Sequence, residues 1–190
     1  PARSRSSATS GWARAARAEC IRFDVHVHSL PPGSEERNRL REEKLNRMMP
    51  LATAWRSELP RIDGLTWGWF ERGFVEHVTA HYEVLAREWE RVFDAAPVVS
   101  LSLSISHAEV RELCKAPWMS RIVRLDLDGG WRLMNVTDER ARIDSNVEFA
   151  DLLIDSPYLV GVRRICLRGG IRQPRIAIKR LKTRFAEVFS

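Results

Sequence analysis

Three small groups of residues have types and spacings that would support chemistry, and each can be held against what that chemistry requires. Asp24-Val25-His26-Val27-His28 has the D-x-H-x-H form. On a β-strand it sets both imidazoles on one face, where a divalent metal would activate water for hydrolysis. Amidohydrolase-type sites of this kind stand at the mouth of a barrel of roughly 200 residues or more and take further ligands from later strands. The only other histidines are His77, His81 and His107, so a metal-dependent hydrolase using His26 and His28 ranks behind the non-catalytic readings. Glu76-His77 with His81 has the i, i+4 histidines of a zincin helix, but HExxH needs its glutamate just after the first histidine, and here it comes before. Gly129-Gly130 and Gly169-Gly170 follow strand-like runs, yet neither continues as GxGxxG or GxxxxGK(S/T). They read as turns that need positive φ. A G-x-S-x-G elbow, a Cys–His pair at a recognisable spacing and paired catalytic carboxylates are all missing from the sequence. The chain is expected to be no enzyme and to use no cofactor or metal.

Charge gives a second candidate. Lysine and arginine number 31 against 25 acids, a formal net charge of +6 in 190 residues. The excess concentrates near the end: Arg163 to Arg184 holds nine bases and no acid. Arg163, Arg164, Arg172, Arg175, Lys179 and Arg180 are the residues expected to touch nucleic acid weakly, as in an accessory protein of a ribonucleoprotein. Stacking aromatics are not interleaved, Phe185 being the one nearby, so such contact would be salt-sensitive and non-specific. Cys20, Cys114 and Cys166 are widely spaced and odd in number, with no CxxC. That fits a reducing, cytoplasmic setting. The longest purely apolar runs are a few residues, far below the roughly 18 a membrane helix needs, so no membrane contact is expected.

The elements that would position these groups fall into three stretches. Residues 1–18 carry four arginines and no acid and are expected to be a mobile or truncated segment. Residues 19–66 form an N-terminal helical cap region. In it, Pro31-Pro32-Gly33-Ser34 is a break, and Ser34-Glu35-Glu36-Arg37 opens a charged helix with a sparse stripe of Leu40, Leu45, Met48 and Met49. Pro50 is expected to stop or kink that helix.

Residues 67–190 read as repeats. Leu113–Gly130 set over Leu153–Gly170 without a gap gives six identities in eighteen positions, and Leu125 lies 24 residues after Leu101 and 40 before Ile165. The extra length falls in a polar insertion around Trp131 to Ser145. With a β-like run at Gly73–Val78 and a helical pattern over Tyr82–Ala96, the order reads β-α-β-α-β-α-β-α. A unit of one strand and one helix cannot cover its own apolar face, so neighbours must stack, with parallel strands inside and helices outside. The strands alternate: Leu101, Leu103 and Ile105 against Ser100, Ser102 and Ser104; Leu125 and Leu127 against Arg124, Asp126 and Asp128; Ile165 and Leu167 against Arg164, Cys166 and Arg168. Strands of a doubly wound sheet, buried on both faces, would be apolar throughout. The expected fold is therefore α/β, a short leucine-rich-repeat-like solenoid with parallel strands on its concave side, helices outside and the helical cap at its N-terminal end.

These residues resemble a known family. Trp67-Gly68-Trp69-Phe70-Glu71-Arg72-Gly73-Phe74-Val75-Glu76, followed by a helix ending Phe93-Asp94-Ala95-Ala96-Pro97, is similar to the repeat-companion domain of bacterial leucine-rich-repeat proteins of planctomycete and myxobacterial type. Arg17-Ala18-Glu19-Cys20-Ile21-Arg22 resembles its RAEFIR segment, and Leu181-Lys182-Thr183-Arg184-Phe185 its terminal helix. The likeness covers residues 12 to 190. It departs at the ADW-like N-terminal motif, and at Gly129 and Gly169, which stand where the repeats usually have asparagine. The resemblance implies a protein-interaction scaffold with no catalytic residues. The polar strand positions Ser102, Ser104, Asp126, Asp128, Cys166 and Arg168 are the expected contacts for a protein partner or larger assembly.

Overall fold

The structure, a computed structural model, describes residues 5–68, 70–129, 139–168 and 175–189. The chain runs α1 (Arg5–Ser29), α2 (Glu35–Arg56), β1 (Leu65–Trp67), β2 (Phe70–Glu71), β3 (Phe74–Val75), β4 (His77–His81) and α3 (Tyr82–Ala95). It continues with β5 (Ser100–Ser104), α4 (His107–Leu113), a 3-10 turn at Pro117–Arg121, β6 (Arg124–Asp128), α5 (Glu139–Asp155), β7 (Arg164–Arg168), α6 (Arg175–Arg184) and β8 (Glu187–Phe189). Two compact units result: Pro1–Pro60 with Trp69–Val75, and Arg61–Gly68 with Glu76–Ser190.

The first unit is a helical hairpin with a β-hairpin. Helix α1 starts at Arg5, inside the segment expected to be mobile. Alanines at positions 13, 15, 16 and 18 supply the helix propensity that the arginines do not oppose. After the Pro-Pro-Gly break, the Ser34 hydroxyl caps α2 by accepting from the Arg37 N–H at 3.3 Å, and Glu35 and Glu36 complement the helix N-terminus. Pro50 does not stop α2, which continues to Arg56. The lost backbone bond is offset one turn on, where Trp55 is buried against the Phe70 ring, 5.5 Å between centroids. Arg17 ties the pieces together. It donates to the Gly73 carbonyl at 3.2 Å and to Glu58 at 2.6 Å, with its guanidinium over the Trp55 and Phe74 rings. The β2–β3 turn needs positive φ at Arg72 (52°) and Gly73 (79°), the geometry of a two-residue hairpin turn. A Cβ on Gly73 would come within 2.9 Å of Arg17 Cγ.

The second unit is mixed α/β around a six-stranded sheet of order β1-β4-β5-β6-β7-β8. Strand β1 pairs antiparallel with β4, and every later pair is parallel. The register joins the positions that the repeat aligned: Leu101 faces Leu125, Leu125 faces Ile165, and Leu127 faces Leu167. All five are buried. The strand order never reverses from β4 to β8, so crossovers of one hand keep their helices on one face, whereas a doubly wound sheet needs a reversal. Consistent with this, α4 packs on α5 and α5 on α6. Leu85, Val92, Val110, Leu113, Phe149, Leu153, Ala177 and Leu181 fill the layer between helices and sheet.

Several local expectations are corrected. The run at residues 73–78 is not one strand. It divides into β3 and β4, which pair in different sheets. Pro117 opens the 3-10 turn, its ring presetting φ at the first turn position. The expected insertion is in part α5, which begins at Glu139; residues 130–138 lie outside the described residues. Strands β1 and β8 had no counterpart in the expected order, each being three residues long. Among the described residues, no helix is long and apolar enough to cross a membrane.

Candidate functional site

Because side chains alternate along a strand, burying Leu101, Leu103, Leu125, Leu127, Ile165 and Leu167 leaves their neighbours on the opposite face. Parallel register then lines those neighbours up in rows about 4.8 Å apart from strand to strand. The upper row is His77, Ser100, Arg124, Arg164 and Glu187. The middle row is Thr66, Thr79, Ser102, Asp126, Cys166 and Phe189. The lower row is His81, Ser104, Asp128 and Arg168. All six residues expected to meet a partner therefore stand side by side: Ser102, Asp126 and Cys166 are half-buried, while Ser104, Asp128 and Arg168 are exposed.

The face carries its own hydrogen bonds. Asp126 accepts from Arg168 at 3.0 Å and from the Ser102 hydroxyl at 3.4 Å. A hydrogen bond with Cys166, and then the charges of Asp126 and Asp128, hold the Arg168 guanidinium above its ordinary pKa. Its side chain remains 63% exposed, so the ion pair orders the surface more than it stabilises the fold. At the upper end, Arg164 pairs with Glu187 at 3.2 Å and lies 4.5 Å from the Phe189 ring centroid. The Ser100 hydroxyl and His77 Nδ1 share a 2.9 Å hydrogen bond. A groove of about 340 Å³ runs over the lower rows, lined among others by Thr66, Thr79, His81, Ser104, Asp126 and Asp128. Thr66 and Thr79 were not among the expected contacts, and His81 was weighed only as a zincin-spaced histidine. The last two were legible, since His77-Val78-Thr79-Ala80-His81 alternates as the later strands do.

The competing sites fare differently. His26 and His28 lie on α1, not on a strand. Two positions apart on a helix, they diverge by about 200° around its axis. Asp24 is engaged by Lys44 at 2.6 Å in a nearly buried ion pair, and its carbonyl lies 2.8 Å from His28 Nδ1. His77 and His81 lie on β4, so their Cα atoms are about 13 Å apart, beyond a shared metal. Among the described residues, no cluster of three or more His, Cys, Asp or Glu could hold a metal ion. Of the basic candidates, Arg163 and Lys179 are exposed, Arg164 is held by Glu187 and Arg180 by Asp151 at 2.6 Å. Arg172 and the Arg175 side chain lie outside the described residues, as do Gly130, Gly169 and Gly170. Gly129 does take positive φ, +90°. The three cysteines are free thiols. A groove of about 620 Å³ between α4 and α5 is bridged by an Arg111–Glu148 ion pair.

Comparison of the chain with protein-family models, with curated proteins and with solved structures finds no match.

Proposed function

We propose that the chain is a non-enzymatic protein-interaction scaffold of leucine-rich-repeat type, related to the repeat-companion proteins it resembles. In this reading β4 to β8 and their helices are the rungs of a short solenoid. A protein partner docks on the polar strand face through Ser102, Ser104, Asp126, Asp128, Cys166 and Arg168. One observation carries the reading: a parallel sheet sealed by apolar side chains on one face and open, polar and in register on the other. A sheet that served only as packing would have both faces covered, and an open row of aligned polar side chains is what stacked repeats offer a ligand.

The test is affinity co-purification followed by mass spectrometry, comparing the wild-type chain with Asp126→Ala/Arg168→Ala. Arg168 is exposed and Asp126 half-buried, and neither belongs to the apolar core, so the double variant is expected to keep its far-UV spectrum and to melt within about 2–4 °C of wild type while losing the partner. A double variant that keeps every partner, or that becomes insoluble, overturns the face assignment. A partner lost at moderate salt and removed by nuclease would move the interaction to the bases around Arg163 and Lys179.

A further inference from the structure

The charges on the open face are not all satisfied by one another. Arg164 has Glu187, and Arg168 has Asp126. Two charges remain without an ion pair to any described residue, Arg124 and Asp128. They lie at opposite ends of one strand, β6, on the same face as Asp126. Four residues of extended chain separate their Cα atoms by about 13 Å. The flanking strands offset them only in part, since the one guanidinium beside Asp128, that of Arg168, is paired with Asp126. Arg124 stands between Ser100 and Arg164, and Asp128 between Ser104 and Arg168, whose nearest carboxylate is Asp126. The face is therefore positive at the start of β6 and negative at its end. The negative end opens into the groove, which holds two carboxylates, Asp126 and Asp128, against one guanidinium, Arg168, with the hydroxyls of Ser102 and Ser104 and the His81 ring beside them.

We propose that the open face takes an extended peptide segment of a protein partner lying along β6, with a basic side chain entering the groove to Asp128 and an acidic side chain four residues away meeting Arg124. The proposal rests on the scaffold reading above and adds the partner's chemistry to it. The spacing follows from matching two extended chains, in which four residues of the ligand span the same distance as four residues of β6. Leaving either charge buried and unpaired under a neutral partner would cost its desolvation. A segment of a single sign would be attracted at one end and repelled at the other. A groove of this size holds a lysine or arginine side chain, whose donors suit the carboxylate and hydroxyls lining it.

The test is a display selection of random twelve-residue peptides on the immobilised wild-type chain. Recovered peptides are then titrated against wild type, Arg124→Glu, Asp128→Lys, the double reversal Arg124→Glu/Asp128→Lys, and Ser102→Trp. The expected result is enrichment of peptides with a base and an acid four positions apart. Each single reversal should weaken them about tenfold, and Ser102→Trp should abolish binding. Peptides with the base and acid exchanged should bind the double reversal better than they bind wild type. That recovery also shows the reversed face to be folded. Peptides blocked by Ser102→Trp but indifferent to both reversals overturn the charge proposal and leave the face reading standing. Peptides indifferent to all the variants overturn the face reading itself. A selection that enriches nothing overturns the extended-peptide proposal, while the co-purification remains the measure of the scaffold reading.

Discussion

Cys114, at the end of α4, is buried, and that burial pushes its thiol up to about 12. In the unfolded chain a thiol titrates near 8.5. Between those values the unfolded chain releases a proton that the native chain keeps, so stability is full below about pH 8.5 and falls as pH rises. Cys20 and Tyr82 are raised as well, both chiefly by burial, and add to the slope in the same direction. The urea midpoint is expected to drop between pH 8 and 11, and Cys114→Ala is expected to flatten that drop. Midpoints that do not move over this range would show that the thiol is not held neutral by the fold. Labelling by a soluble alkylating reagent at pH 8 should reach Cys166, which is only half-buried, well before Cys114. Mass spectrometry of the labelled native chain reads this directly. At this scale the sequence was informative wherever the period was two: all nine polar positions of β5, β6 and β7 were legible from alternation alone. The pairing of Arg168 with Asp126 was not, because it depends on which strands are neighbours and on register, and those are long-range facts.

Helix α4 is only seven residues long and begins with a complete capping box, in which the Glu109 N–H donates to the Ser106 hydroxyl and the Ser106 N–H to the Glu109 carboxylate. So short a helix has little stability of its own. Ser106→Ala should cost about 1 kcal/mol, read as a lower urea midpoint with an unchanged slope. The β2–β3 hairpin offers a sharper case. Gly73→Ala forces an L side chain into positive φ and against Arg17, so a loss of roughly 1–3 kcal/mol is expected. Gly33→Ala, also at positive φ but with nothing within 4 Å, should lose less, by the size of the Arg17 contact. Chemical denaturation of the two variants in parallel checks the ordering. Elements with sustained patterns, α3 and strands β5 to β7, were legible in the sequence. Strands β1 and β8 were not, since three residues carry too little periodicity, and Pro50 does not stop α2, where the burial of Trp55 offsets a broken backbone bond. The D-x-H-x-H segment misled in another way. Its alternation suits a strand, but Asp24 and Val27 are the residues its helix buries, a spacing of three that belongs to helical packing.

For the second unit as a whole, stability should depend on the apolar ladder and hardly at all on the polar rows. Leu125 touches the ladder on both sides through Leu101 and Ile165 and is fully buried, so Leu125→Ala should cost about 2–5 kcal/mol. Asp128→Ala on the same strand should change stability by about 0.5 kcal/mol or less. Equal losses from the two would mean that both faces are covered. That the sheet is parallel, with strands 24 and then 40 residues apart in register, was readable from the aligned repeat, because matching Leu125 to Ile165 also matches Gly129 to Gly169. The division into two units was less so, because residues 69–75 belong with the helices of the first unit and residues 61–68 with the sheet, an exchange that no composition shift marks.

The antiparallel pairing of β1 gives the row of strands a direction. A further strand–helix unit of the same sense could extend it beyond β8, where the last neighbour runs the same way. At the β1 margin the incoming strand would meet a neighbour pointing the opposite way, so the parallel register would not continue there. Lengthening of this array, whether by duplication or by design, is therefore one-sided, and β1 acts as its stop.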